Sequence, residues 1–280
     1  MSGGAERVVR IGQYLRVSDK SLIQRFYCRR CKKSFSQATK DICYKQLKRQ
    51  FNNEVARLLV SGVSQRRASL ILKLNRKTIV RKFIFLGVLA KRNLHISNLL
   101  KPKSQVIEFD DLETTHHTKL KPLSVTLAVE QGSRRILGFR VSQMPAKGHL
   151  AKLSLKKYGF RKDQRSKGRR DLFKEIRPMI EESALIKSDE NPHYIKDVRR
   201  YFPNSKHKTF KGREGSVVGQ GELKKIGFDP LFSLNHTCAM LRANINRLFR
   251  KTWCTTKDPQ RLSDHIALYA LFHNGLLKSL

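Results

Sequence analysis

Acidic residues are scarce in this sequence, and one long stretch has none. The 280 residues include 22 Asp and Glu against 59 Lys and Arg, which gives a formal net charge of +37. From Val55 to Ile107 there are 12 Lys and Arg and no acid. A surface that binds phosphates excludes carboxylates, so this stretch predicts a module that binds nucleic acid. A membrane-surface protein is disfavoured, because the positive charge is spread through core-forming segments instead of forming one cluster.

The acid-free stretch ends abruptly in a cluster of carboxylates. Glu108, Asp110, Asp111 and Glu113 fall within six residues. A divalent-metal site must concentrate carboxylates, so the order along the chain predicts a binding module first and a catalytic module after it. The alternative is a chance cluster on a solvated face.

Long apolar runs and a regular set of cysteines are also missing. The longest apolar run, 83–90, has eight residues and is too short to span a bilayer. The N-terminus has no apolar segment of the kind found in a secretory signal. The five cysteines are odd in number and irregularly spaced, which argues against a disulfide framework and for a reducing compartment. We therefore expect a soluble, cytoplasmic protein associated with nucleic acid.

Residues 1–50 have the pattern of half a zinc ribbon. Cys28 and Cys31 form a CxxC pair, which presents two thiolates at the spacing that tetrahedral Zn²⁺ requires. A structural site needs four ligands; Cys43 is a candidate third, and no fourth is evident. Two reduced thiols in a small β-rich piece are the alternative. Strands are predicted at 8–11, 14–17 and 23–27, with a break at Gly12.

Residues 51–92 are predicted to form an all-α helix-turn-helix domain, followed by a basic linker at 93–104. Ser64 is a good N-cap for the second helix and Asn75 for the third. The third helix is typical of a recognition helix that meets the major groove. A basic helical hairpin that reads no sequence is the alternative. The predicted DNA contacts in this region are Arg66, Arg67, Arg76, Lys77, Thr78, Arg81 and Lys82.

The remainder, 105–280, predicts an α/β domain with a mixed sheet. The order of its elements, β-β-β-α-β-α-β-α, is that of the RNase H-like fold, with a basic loop at 161–170 before the first helix. The predicted strands are 106–111, 123–129, 136–141, 184–189 and 206–210, and the predicted helices are 171–183, 194–201, 235–251 and 263–273.

Two acids end the first and fourth of these strands. The two strands are neighbours in an RNase H-like sheet, so we expect Asp110 and Asp189 to meet. Such a pair suits two Mg²⁺ or Mn²⁺ ions, which activate the attacking oxygen of a phosphodiester reaction and stabilise the leaving one. Arg242 is predicted to hold a substrate phosphate. The alternative for each acid is a turn residue at a strand end, and His116-His117 is interpreted as a solvated turn.

At these residues the chain resembles the DDE transposases of bacterial insertion sequences. The resemblance spans the whole chain and implies a zinc ribbon, a helix-turn-helix and a catalytic domain. It also implies a homodimer on double-stranded DNA, at terminal inverted repeats and at the target. Further DNA contacts are implied at Arg247, Arg250 and Lys251. The stretches that carry the resemblance are 109–114, 121–124, 188–190, 247–253 and 273–274.

The chain departs from this family pattern at two places. The first CxxC of the ribbon is missing, which leaves zinc binding by Cys28 and Cys31 doubtful on chemical grounds. The third carboxylate of the family falls here on Asn235, seven residues before Arg242 and on the same face of a helix. Glu222 is the rival ligand. We favour Asn235, because a helix holds a ligand more rigidly than a loop between glycines.

Two other functions fit the same residues. One is an RNase H-like nuclease that cuts DNA without joining it. The other is a DNA-binding protein derived from a transposase, in which the Asn at position 235 has abolished activity.

Overall fold

The computed structural model describes residues 7–211, 229–249 and 252–276, and the chain divides into two units, 1–55 and 56–280. The predicted ligand Glu222 and the predicted DNA contacts Arg250 and Lys251 lie outside the described residues. The elements in chain order are β1 (Val8–Arg16), β2 (Ser21–Cys28), β3 (Ser34–Ser36), α1 (Asn52–Val60), α2 (Gln65–Ile71), α3 (Arg76–Leu99), β4 (Ser104–His116), β5 (Thr118–Glu130), β6 (Ile136–Gln143), α4 (Leu150–Tyr158), α5 (Arg165–Ile176), β7 (Ile180–Asp189), α6 (Pro192–Tyr201), β8 (Lys206–Phe210), α7 (Phe232–Asn244) and α8 (Pro259–Leu276).

The first unit contains an antiparallel sheet in the order β1-β2-β3. A β-rich piece is predicted here, but the break at Gly12 is wrong: β1 is one continuous strand. Its register with β2 shifts between Arg10 and Gln13. Gly12 has a φ of 113°, which a residue without a side chain adopts at little cost, so the strand absorbs the extra residue as a bulge.

Three helices follow, at the places where the sequence predicts them. The Oγ of Ser64 accepts a hydrogen bond from the N–H of Arg67 at 3.2 Å, and the Oδ1 of Asn75 accepts one from the N–H of Lys77 at 2.8 Å. Both predicted caps therefore start their helices by satisfying a free backbone donor. None of the helices in the described part of the chain, the 24-residue α3 included, is long and apolar enough to cross a bilayer.

The predicted linker at 93–104 is wrong over most of its length, because α3 continues to Leu99. The second half of α3 has its own buried side: Leu94 is 5% exposed and Asn98 is 1% exposed. The side-chain amide of Asn98 donates to two carbonyls of β6, each at 3.0 Å, and α3 also packs along α8. From Ala56 onwards, the predicted helix-turn-helix therefore belongs to the same unit as the large sheet.

The second unit is built on a mixed five-stranded sheet, which confirms the α/β class. Its strand order is β6-β5-β4-β7-β8; β4, β5 and β6 are antiparallel neighbours, and β7 and β8 run parallel to β4. The hydrophobic core lies between this sheet and the helices α5 and α6. Phe109 on β4 is its centre, with ring centroids 5.0 Å from Phe173 and 4.9 Å from Tyr194.

The basic loop predicted at 161–170 is wrong in its second half, where α5 begins at Arg165. A run of basic residues suggests a solvated loop, but Arg169 is 2% exposed. Its Nε donates to the carboxylate of Asp197 on α6 at 2.8 Å. Because this acid neutralises the charge of the guanidinium, the side chain of Arg169 can be buried. The helix α4 is not predicted by the sequence at all.

Two predicted helices end too late. The helix predicted at 171–183 ends at Ile176, because Pro178 cannot continue it and the chain passes into β7. The helix predicted at 235–251 begins earlier and ends at Asn244. A short 3₁₀ turn follows, which buries Leu248.

Candidate active site

The two predicted acids, Asp110 and Asp189, lie on neighbouring strands. In the parallel pair of β4 and β7, Glu108 is opposite Lys187. Two residues further along each strand, Asp110 is therefore level with Asp189 and on the same side of the sheet. Asp189 is also the last residue of β7. The structure thus brings together two carboxylates that are far apart in the chain.

The environment of this pair disfavours two negative charges. Burial and then the charge of Asp189 raise the pKa of Asp110 to about 7. Burial also raises the pKa of Asp189. The pKa of a carboxyl group rises in this way where the group is partly desolvated and lies close to another negative charge. A divalent cation between the carboxylates would stabilise both, so the pair suits a metal that prefers oxygen ligands.

A hydrogen bond from Tyr194 orients Asp110. The hydroxyl donates to Oδ1 of Asp110 at 3.0 Å, and the N–H of Asp111 donates to the same oxygen at 2.6 Å. Oδ2 accepts no hydrogen bond from the described residues and stays available. The ring of Tyr194 is fixed between Phe109, at 4.9 Å, and the guanidinium of Arg169, at 4.8 Å. Sequence reasoning missed this residue, which it treated only as the start of a helix.

The helix α7 runs past the same acids. A backbone N–H in its first turn donates to Oε2 of Glu108 at 2.8 Å, and Glu108 is on the same face of β4 as Asp110. Burial and then the charge of Asp110 raise the pKa of the Cys238 thiol to about 12. Asn235 and Arg242 lie three residues before and four residues after Cys238, on the same face of the helix. The structure therefore aligns the predicted Asn235 and Arg242 with the face of α7 that meets Asp110.

Asn235 is exposed, and a neighbouring acid holds its amide. The Nδ2 of Asn235 donates to Oδ2 of Asp229 at 2.9 Å, which directs its carbonyl oxygen away from that acid. The other oxygen of Asp229 accepts the N–H of Leu231 at 3.0 Å. Burial raises the pKa of Glu108, and the charge of Asp229 adds to that shift, so Asp229 is a further acid beside the site. Sequence reasoning missed it, because the predicted helix starts only at Asn235 and so leaves Asp229 in the preceding loop.

The donor atoms fit a hard divalent cation. Two carboxylates and one amide oxygen are ligands that Mg²⁺ accepts, with water completing the octahedron. Among residues 7–211, 229–249 and 252–276, no three His, Cys, Asp or Glu side chains form a metal-binding group. The predicted set contains only two such acids and Asn235, so its third ligand is of a different chemical type.

The CxxC pair lies where β2 turns towards β3. Cys28 and Cys43 are partly buried, and Cys31 is exposed. Hydrogen bonds from Cys31 lower the pKa of Cys28, which favours the thiolate that binds metals. The sulfur of Cys43 accepts a hydrogen bond from Asn52 at 3.6 Å. Zinc binding by these thiols stays a prediction.

The predicted DNA-contacting face needs one correction, at Lys82. Lys82 is 2% exposed, because it shares the buried stripe of α3 with Ile79 and Leu86 and does not face solvent. Thr78 is partly exposed. The exposed members of the predicted set are Arg66, Arg67, Arg76, Lys77 and Arg81.

Two predicted arginines lie at the far end of α7. Arg242, in its last turn, is partly buried. Arg247, in the following 3₁₀ turn, is also partly buried, and its guanidinium lies 5.4 Å from the centroid of the Phe83 ring. Both can therefore present positive charge beside α7 with little freedom to move.

Comparison with known proteins does not assign this chain to a family. No protein-family model matches the chain, and no curated protein is significantly similar to it.

Proposed function

We propose that this protein is a DNA transposase whose catalytic unit has the RNase H-like architecture and uses Mg²⁺ or Mn²⁺. The observation that carries the proposal is the position of Asp110 beside Asp189, with the pKa of both carboxylates raised. The strand order supports the architecture: three antiparallel strands are followed by two strands parallel to the first of them. The resemblance of the motif stretches to DDE transposases supports the reaction.

In this proposal each residue of the site has its own role in phosphodiester transfer. Bound Mg²⁺ supplies Lewis-acid stabilisation of the attacking and leaving oxygens. Asp110 would hold the cations through Oδ2, because Oδ1 accepts the hydrogen bonds from Tyr194 and from the N–H of Asp111, and Asp189 would hold them from the next strand. The amide oxygen of Asn235 would be the third ligand. Arg242 holds a phosphate of the DNA and so positions the strand for in-line attack.

The proposed substrate is double-stranded DNA at the inverted repeats of a mobile element. A net charge of +37 attracts a polyanion and keeps non-specific affinity high. The exposed first turns of α3 read the repeat in the major groove. Because transposition pairs two element ends, we propose a homodimer on DNA, acting in the bacterial cytoplasm at the nucleoid.

One assay separates this function from its two alternatives. The protein is incubated with a labelled duplex that carries the inverted repeat flanking its coding sequence, a target plasmid, and Mg²⁺ or Mn²⁺. A transposase joins the label to the plasmid. An RNase H-like nuclease shortens the duplex without labelling the plasmid, and an inactive DNA-binding derivative retards the duplex without cutting it.

Replacing Arg76 and Lys77 by Ala is expected to weaken binding to the inverted repeat more than binding to random duplex. A side chain that reads a base edge contributes about 1–3 kcal/mol at that sequence, whereas a phosphate contact weakens all sequences alike. Fluorescence anisotropy with both duplexes measures the ratio. Arg92→Ala is the control, since Arg92 is exposed on the same helix beyond its first turns. A reduced affinity with an unchanged ratio would make this end of α3 a phosphate clamp.

The salt dependence of DNA binding by the wild-type protein is a second test of the same surface. If about 6–10 phosphates are neutralised, affinity falls roughly 10³–10⁵-fold between about 50 and 200 mM salt. A flat response would exclude DNA as the partner.

Replacing Asp229 by Ala is expected to slow cleavage by about 10–100-fold, as losses of groups that orient metal ligands do. Asp258→Ala is the control, because Asp258 accepts a backbone N–H at the start of α8 as Asp229 does at the start of α7. Asp258 also pairs with Arg261 at 3.3 Å, so Asp258→Ala loses at least as much stability, and only Asp229→Ala loses activity. If Asn235→Ala cleaves normally while Glu222→Ala is inactive, Glu222 is the third ligand.

A further inference from the structure

The first unit leaves one face of its antiparallel sheet open. Arg10 on β1 is the direct partner of Phe26 on β2, and Phe26 is the direct partner of Phe35 on β3. Directly opposite residues of neighbouring strands point to the same face, so these three form a row across the sheet. A shallow groove of about 680 Å³ lies over this row, and Val8 and Lys40 are also part of its lining. The groove therefore combines aromatic, apolar and cationic side chains.

The opposite face of the same sheet is the one that the chain buries. Ile23, which points away from the row, is 6% exposed, and Ala38, in the 3₁₀ turn Gln37–Lys40 that packs against β2, is 8% exposed. On the face of the row, Leu15 and Leu22 are cross-strand partners and are 53% and 61% exposed. Large apolar side chains gathered on one exposed face indicate a surface that binds a partner.

The two rings of the row can stack on flat groups. The ring centroids of Phe26 and Phe35 are 5.3 Å apart and their planes are 22° from parallel, and both side chains are partly exposed. Unpaired bases of any sequence stack on aromatic rings, and open sheets that carry such rings bind single-stranded nucleic acids in this way. A duplex offers only the edges of its bases in the grooves. The rings therefore favour a strand with unpaired bases over a duplex.

Positive charge without counter-ions borders the two rings. Arg10 and Lys40 are exposed, and within the described residues neither forms an ion pair. Residues 7–53 contain 13 Lys and Arg and only two acids, Asp19 and Asp41, and both acids are already held in ion pairs of the same unit. A second copy of the chain would bring the same excess of positive charge to this face and be repelled, whereas a polyanion is attracted.

We propose that this open face binds single-stranded DNA, with unpaired bases stacked on Phe26 and Phe35 and phosphates on Arg10 and Lys40. The site lies in the first unit, whereas the acids of the proposed active site lie in the second, so the inference goes beyond the proposed function. Only the choice of DNA over RNA rests on that function, because a transposase acts on DNA. The face holds a strand that has separated from its complement, which a helix in the major groove of a duplex cannot do.

The test measures binding of a fluorescein-labelled oligothymidylate of about 12 nucleotides to the full-length protein without divalent metal, by fluorescence anisotropy. Phe26→Leu and Phe35→Leu are each expected to weaken this binding at least about fivefold, because Leu keeps an apolar side chain and loses the face on which a base stacks. Binding of a duplex of the same length stays unchanged. Phe160→Leu, at a position that is 84% exposed and outside the groove, changes neither affinity. Wild-type affinity for the oligothymidylate in either Phe26→Leu or Phe35→Leu overturns the proposal.

Lys40→Gln tests the contact with phosphate. It is expected to weaken oligothymidylate binding several-fold and to lower the salt dependence of that binding by about one charge. Lys20→Gln, which removes the same charge from an exposed residue of the same unit outside the groove, leaves both unchanged. An equal loss in the two variants overturns the proposal, because the net charge of the unit would then bind the strand wherever it lies.

Cross-linking locates the strand without any substitution, so a variant that unfolds the small sheet cannot decide the outcome. An oligothymidylate that carries iododeoxyuridine is expected to cross-link to peptides of β1, β2 or β3 on irradiation, and cross-links confined to residues 56–280 overturn the proposal. Tighter binding of oligouridylate would make RNA the ligand instead of DNA. Loss of a dimer in Phe35→Leu, measured by sedimentation without nucleic acid, would make the face a contact between two copies.

The outcomes separate this inference from the proposed function. A protein that binds oligothymidylate through this face but neither cuts nor joins DNA keeps the site and loses the transposase. A protein that joins DNA while Phe26→Leu and Phe35→Leu keep the wild-type affinity keeps the function and loses the site.

Discussion

Replacing Asp110 by Asn is expected to stop metal-dependent DNA cleavage, with a loss of at least about 10³-fold. Metal stabilisation of the transition state contributes several kcal/mol, and each 1.36 kcal/mol or so corresponds to a tenfold change in rate. Asn keeps an oxygen that accepts the hydrogen bonds from Tyr194 and from the N–H of Asp111. The fold around the site is thus retained, and the charge that is proposed to hold the cations is lost. Single-turnover cleavage in Mg²⁺ and in Mn²⁺ measures the effect.

Asp111→Asn is the matched control for this experiment. Asp111 is the next residue on β4 and points to the opposite face, where it accepts a hydrogen bond from the hydroxyl of Thr126. The substitution removes the same charge from almost the same place, and most of the activity is expected to remain. An equal loss in both variants would mean that the negative field of the acid cluster matters and that ligation by Asp110 does not.

Asp110→Asn also changes how stability depends on pH in the absence of metal. The folded-state pKa of Asp110, about 7, is above its ordinary value of 3.8. Its contribution to stability is therefore complete below the unfolded-state pKa and is lost as pH rises through about 7. Asn has no proton to lose, so the unfolding free energy of the variant falls less than that of the wild type across this range. Urea unfolding at several pH values measures the difference.

The position of the acids could be predicted from the sequence because the signal is local. An apolar run that ends in an acid indicates a strand end, and the order of the elements makes the strands of Asp110 and Asp189 neighbours. The contacts that complete the site leave no such signal. Tyr194 reaches Asp110 from another element, and the contact of Asp229 with Asn235 depends on the start of α7, which the sequence places three residues too late. No periodicity in the sequence records such contacts.

The errors on α3 have the same physical origin. Apolar periodicity places Ile79 and Phe83 inside, and Lys82 lies between them on the edge of that stripe. Whether an edge residue is exposed depends on the width of the surface that covers the helix, and α3 is covered both by α2 and by α8, which lies far along the chain. The contact with α8 stabilises the second half of α3, which has the composition of a basic linker. Tertiary packing decided both cases against the local preference.

Replacing Gly87 by Ala is expected to destabilise the protein by about 2 kcal/mol. Gly87 lies where α3 crosses α8, and an added Cβ would be 2.4 Å from Cβ and 3.0 Å from Cα of Asp264. Overpacking of this kind costs about 1–3 kcal/mol, and a contact with backbone belongs at the upper end. Ala returns about 1 kcal/mol through its higher helix propensity. The helices α3 and α8 must therefore move apart, and urea unfolding measures the resulting loss of unfolding free energy.

Asp264 cannot move aside to relieve the clash. It is fully buried, and its carboxylate is held at 2.7 Å by Lys91 and at 2.7 Å by Arg261. Moving it would weaken two ion pairs inside the protein, and an unpaired buried charge is expensive. The strain is therefore expected to displace α3 itself, the helix whose exposed first turns are proposed to read DNA.

Gly275→Ala isolates the packing contribution. Gly275 lies in α8, and an added Cβ there would meet no atom within 4 Å. The same substitution should stabilise the protein by up to about 1 kcal/mol through helix propensity alone. Opposite signs for the two variants mean that the close approach of α3 and α8 determines the loss at Gly87. A gain in stability at both positions would show that the helices do not approach each other this closely in solution, and the close contact between α3 and α8 would then not exist.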